Sequence, residues 1–213
     1  MASRPLLSQI VTSSSIIPWA LTTIVSALAM YVWGSSNAWH LAHLSIYQIF
    51  PVLGLLAFSI MWSHYMTGFF RKNLLKTVNL ESYFRYTGYV VLLAILLHPG
   101  LLIYQRFRDG FGLPPHSYES YVAPGMAWIT LLGSVSLLTF LAFELHRWFK
   151  DRSWWKYVIY AGDAAMLAIF YHGLRLGTQL HVAWFRYVWY FYGSSLMAYL
   201  IYSYYLRIKT KTI

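Results

Sequence analysis

The stretch Leu92-Leu93-Ala94-Ile95-Leu96-Leu97-His98-Pro99-Gly100 is an apolar run broken by a single imidazole. A second run of the same kind, Ala164-Ala165-Met166-Leu167-Ala168-Ile169-Phe170-Tyr171-His172, lies downstream. An ionisable side chain inside a segment apolar enough to enter a bilayer is costly there, and such residues usually serve a function. His98 and His172 are therefore the first candidates for a shared site.

The chain has 213 residues, 59% hydrophobic and only 10% charged. A soluble domain carries about a quarter charged residues, so this composition indicates an integral membrane protein. An aromatic content of 20% suits interfacial belts of Trp and Tyr. The net charge of +10 comes from short basic clusters between apolar spans, the pattern of a multi-pass protein in a lipid bilayer, and nucleic acid is set aside as a partner. There are no cysteines, which excludes disulfides, thiolate metal sites, cysteine-held iron–sulfur clusters and covalently attached c-type haem. A redox centre here would be held non-covalently, with the eight histidines as its ligand pool.

Six apolar stretches are each near the ~20 residues that cross ~30 Å of hydrocarbon as a helix. They run at about 15–33, 44–70, 86–104, 125–145, 155–177 and 182–206. The expectation is an all-α, six-span bundle forming one domain over 1–213. Ala27-Leu28-Ala29 resembles a signal-peptidase site, but the first stretch is long enough to cross and no polar domain follows it. One set of span ends carries Arg4, Arg71, Lys72, Lys76, Arg85, Arg147, Lys150, Arg152, Lys156, Arg207, Lys209 and Lys211. The other carries only Arg106, Arg108, Arg175 and Arg186. That asymmetry predicts a multi-pass protein of the cell (inner) membrane with both termini cytoplasmic.

In this orientation His98 and His172 lie ~18 Å and ~24 Å along helices that enter from the same side, at matching depth within helix-end error. Neutral imidazole is a usual axial ligand of haem iron, and two at one depth can take opposite faces of one porphyrin. Small residues precede each at helical spacing: Ala168, Ala165 and Ala161 before His172, and Ala94, Val91 and Gly88 before His98. Such stripes make room for a flat cofactor, and equally let helices pack closely. Arg175, one turn beyond His172, is a candidate contact for a haem propionate. Arg106 and Arg108 could do the same, though an ordinary interfacial cation accounts for them more simply.

Arg85-Tyr86-Thr87-Gly88 opening the third span, His98 beyond it, and Trp155 leading to His172 resemble the ferric reductase-like transmembrane domain family. Within it, the chain is most similar to the haem-binding membrane subunit that serves periplasmic methionine sulfoxide reductase. The likeness covers spans two to five. It implies a b-type cytochrome with a bis-histidine haem b, iron being held by His98 and His172. Family members with two haems place a second histidine about four turns further in on each helix. Those places fall near Phe84 and Ile159 here, so the resemblance implies one haem near the outer face. Electrons from the cytoplasm would then cross a long gap, which a flavin (FMN or FAD), a quinone or an unusual inner ligand would have to bridge. The implied donor is a soluble flavin reductase or quinol, and the implied acceptor is ferric iron or a periplasmic reductase.

His64, within Trp62-Ser63-His64-Tyr65, is a candidate inner cofactor ligand or quinone contact, or else a hydrogen-bonded packing residue. Asp163 falls nearly opposite His172 around its helix, with His64, Lys156 or a buried hydroxyl as its expected partner. Glu144 and His146 end the fourth span beside Arg147. His40, His43, His116 and His181 belong to the outer side without a diagnostic metal spacing. The chain carries no glycine-rich nucleotide fingerprint. Two other classes stand beside the cytochrome: a transporter or proton pathway using Asp163, His64 and Glu144, and a purely structural membrane subunit.

Overall fold

The computed structural model describes residues 5–73 and 78–209, and among these it is all-helical, without strands. Arg4, Lys76 and Lys211 of the basic clusters lie outside the described residues. Chain order gives α1 (Pro5–Ser36), α2 (Ile46–Asn73), α3 (Glu81–Arg108), a short α4 (His116–Glu119), α5 (Ala127–Glu144) and a short α6 (His146–Phe149). There follow α7 (Trp155–Leu176), a 3-10 turn at Thr178–His181, and α8 (Ala183–Lys209). The six long helices fall on the six apolar stretches read from the sequence.

Helix is the expected state because an apolar segment must satisfy its backbone hydrogen bonds internally. Even prolines are carried within it, Pro18 in α1, Pro51 in α2 and Pro99 in α3. The ends of α3 suit its dipole, with Glu81 in the first turn and Arg106 and Arg108 in the last.

Helix α2 is the hub, packing on α1, α3, α7 and α8. Its contact with α8 is a column of rings. Phe58 lies 4.3 Å from Trp189 and Trp62 lies 4.5 Å from Tyr192, centroid to centroid. Helices α3 and α5 instead turn much of their apolar surface outward, with Leu93 60% and Leu138 66% exposed. Apolar surface of that extent is unstable in water and suits lipid.

Among the described residues, four helices are long and apolar enough to cross a membrane: Ile16–Ser36, Ile46–Arg71, Glu81–Arg108 and Ala127–Glu144. Six stretches were expected. The other two, α7 and α8, have the length but fall short in composition. Helix α7 carries Lys156, Asp163 and Arg175. Helix α8 carries Arg186 and a succession of Tyr and Trp, whose hydroxyl and indole groups make them interfacial rather than hydrocarbon-loving residues.

Candidate functional site

A cavity of about 210 Å³ lies among α2, α3, α5 and α7 and is closed on one side by Trp189 of α8. Along α2 its lining extends from Tyr47 to Met61, roughly 21 Å of helix. The walls are mainly apolar, with Leu55, Phe58, Leu102, Leu137, Phe140 and Ile169 among them. His98 and His172 both line it. Each stands seventeen residues after the first residue of its helix.

Both rings are held in the same manner. His98 Nδ1 lies 2.8 Å from the Phe50 carbonyl oxygen, and His172 Nδ1 lies 2.8 Å from the Ile129 carbonyl oxygen. A carbonyl can only accept, so each Nδ1 carries the proton and donates it. In the neutral ring this leaves Nε2 as a lone pair, and neither Nε2 has a hydrogen-bond partner among the described residues. Metal-bound histidines are characteristically oriented this way, the outer nitrogen giving its proton to a backbone carbonyl.

This donor set fits a porphyrin iron, which brings four nitrogens of its own and asks the protein for two axial ligands. Among the described residues no group of three or more His, Cys, Asp or Glu comes together. The apolar walls match a flat hydrophobic cofactor.

The small-residue stripes behave differently from the cofactor reading. Val91, Ala94 and Ala165 are buried, and none of them lines the cavity; Val91 and Ala94 pack into the helix core. The small residues that do face the cavity include Gly54, Ala57 and Gly133, on the partner helices α2 and α5. Sequence reading passed over them. Their signal was present, a glycine inside an apolar helix despite its propensity cost of about 1 kcal/mol.

Arg175 is exposed in the last turn of α7 and does not line the cavity. His64 lies elsewhere on α2. Its Nε2 is 2.7 Å from Thr87 Oγ1, whose hydroxyl donates to the Tyr83 carbonyl at 2.6 Å, so the His64 Nε2–H is the donor to Thr87. Its ring packs edge-on against Tyr83 and Phe84. Asp163 finds hydroxyl partners: Tyr65 donates to Oδ1 at 2.9 Å and Tyr204 to Oδ2 at 2.8 Å. Glu144 and His146 are exposed at the end of α5. His64, Asp163 and Glu144 are thus not brought together.

The mouth of the cavity holds a surprise relative to the sequence. Arg106 is not a solvated cation but only 7% exposed. Its guanidinium lies 3.4 Å over the Phe111 ring and donates to Ser120 Oγ. Tyr47, which lines the cavity, donates to Asp109, and the Tyr118 and Ser134 hydroxyls bond at 3.0 Å. These contacts pin the 109–126 loop across the cavity end. Tyr121, stacked on Tyr47, has its hydroxyl pKa raised, by burial first and by Tyr47 next.

No protein-family model, curated protein or solved structure matches this chain. The geometry of the cavity therefore carries the functional argument.

Proposed function

We propose that this protein is a six-span membrane cytochrome b in which His98 and His172 hold one haem b. The supporting observation is the pair of imidazoles on one apolar cavity, each with Nδ1–H given to a backbone carbonyl and Nε2 free. The resemblance to the ferric reductase-like transmembrane domain belongs to this reading, as does placement in the cell membrane with both termini cytoplasmic. Helices α7 and α8 complete the six spans in this reading, with Trp155, Trp189 and Tyr192 turned into the bundle.

When bound, the haem would supply one-electron redox chemistry at its iron. The chain's own residues do the rest. Phe50 and Ile129 orient the ligand rings through their carbonyls and raise ligand basicity. Phe58, Leu102, Leu137, Phe140, Ile169 and Trp189 exclude water. The 109–126 loop, held by Arg106 and Tyr118, covers the outer end. A soluble flavin reductase or quinol would donate electrons from within, and ferric iron or an outer reductase would accept them. FMN, FAD or a quinone would serve the inner half, where the chain places no histidine pair.

The test is haem content. Protein expressed with adequate haem supply and purified as a folded species is expected to carry one non-covalent haem b per chain by pyridine haemochromogen assay. His98→Ala and His172→Ala should each lose it while still inserting in the membrane. A folded, haem-free wild type would end this reading.

A further inference from the structure

The two histidine half-sites are built alike on separate helix pairs. On α2, Phe50 gives the carbonyl that accepts His98 Nδ1–H. One turn on, a Cβ added at Gly54 would stand 2.8 Å from His98 Cε1 and 3.0 Å from its Nδ1. On α5, Ile129 gives the carbonyl for His172. One turn on, a Cβ at Gly133 would stand 2.8 Å from His172 Cε1 and 2.9 Å from its Nδ1. In each case the carbonyl residue precedes the glycine by four, and the ring edge lies against bare backbone.

Side-chain Cβ atoms essentially never approach another heavy atom within 3.0 Å. An alanine would therefore have to turn the ring, and turning it breaks the bond to the carbonyl one turn below. Helical glycine is otherwise unfavourable by about 1 kcal/mol against alanine, so close approach is the physical reason for glycine here. Glycines elsewhere differ: a Cβ at Gly88 of α3 or Gly162 of α7 would meet nothing within 4 Å, and the close approaches at Gly173 and Gly193 are to Trp189 and Phe170, not to an imidazole.

We propose that Gly54 and Gly133 are positioning residues, each fixing the plane of one imidazole and thereby presenting its Nε2 to the cavity. What the rings bind rests on the haem reading above. How they are held does not, and the two can fail separately.

The experiment compares Gly54→Ala and Gly133→Ala with Gly88→Ala and Gly162→Ala. Each of the first pair should weaken haem retention by about ten- to a hundredfold, the usual effect of disturbing what orients a metal ligand. Each should also change the electron paramagnetic resonance g values of the oxidised protein. The second pair should match wild type in both. In haem-stripped wild type, nitrogen-15 spectra of labelled histidine should show Nδ1–H tautomers at His98 and His172, with the ring beside the new alanine losing that signature. Wild-type retention, g values and tautomers in both Gly54→Ala and Gly133→Ala would overturn the proposal. If neither variant folds, Nδ1–H at both wild-type rings supports it and Nε2–H at either overturns it. A haem-free wild type would defeat the haem reading alone and leave the tautomers to decide this one.

Discussion

At Asp163 one carboxylate ties three helices together, accepting from Tyr65 of α2 and Tyr204 of α8 at 2.9 and 2.8 Å. Removing one donor while the other remains is the milder change. Tyr65→Phe is expected to lower stability by about 1 kcal/mol, whereas Asp163→Ala strands two hydroxyls and should cost about 2–3 kcal/mol. Thermal unfolding in detergent reads both, and equal midpoints for the two variants would contradict this account. The carboxylate was visible in the sequence as a lone charge in an apolar run. Its partners were not, because they lie 98 and 41 positions away and nothing local marks a tyrosine as a donor. The same limit applies at His98 and His172. The imidazoles stood out, but Phe50 and Ile129 act through backbone carbonyls, which every residue has. Arg106 read as an interfacial cation because its cover, Phe111 and Ser120, comes from a loop whose path hydropathy cannot trace.

Helices were the most legible level. Long apolar runs predict them directly; α1 and α3 extend beyond the expected stretches at both ends, α2 and α8 at their C-terminal ends, while α5 is shorter at both ends. Helix α3 begins at Glu81, and an exposed Arg85–Glu81 pair at 2.6 Å continues its first turns, a contact worth only a few tenths of a kcal/mol. How helices pack was less legible. A Cβ at Gly193 of α8 would fall 2.3 Å from Phe170 Cζ of α7, so that glycine sets the spacing of the two helices. Gly193→Ala should force them apart and destabilise by about 1–3 kcal/mol, seen as a lowered unfolding midpoint. An unchanged midpoint would show that Phe170 has room to move.

For the whole molecule, composition already indicated a membrane protein, and the four helices long and apolar enough to cross agree with it. The proposed six-span arrangement depends on α7 and α8, whose charged and aromatic residues place them below the same hydropathy level. The absence of native cysteines makes topology directly measurable. A single cysteine at His40 or Glu119 is expected to react with a membrane-impermeant maleimide in intact cells, and one at Arg152 only after permeabilisation. Labelling of all three from outside would contradict the orientation.

The measurement closest to the central claim is the dithionite-reduced minus oxidised absorption spectrum of the purified wild type beside His98→Ala and His172→Ala. The account predicts the sharp α band of a low-spin b-type haem in the wild type and its loss in both variants. A wild-type band that survives both substitutions, or a folded protein without one when haem was plentiful, would contradict it.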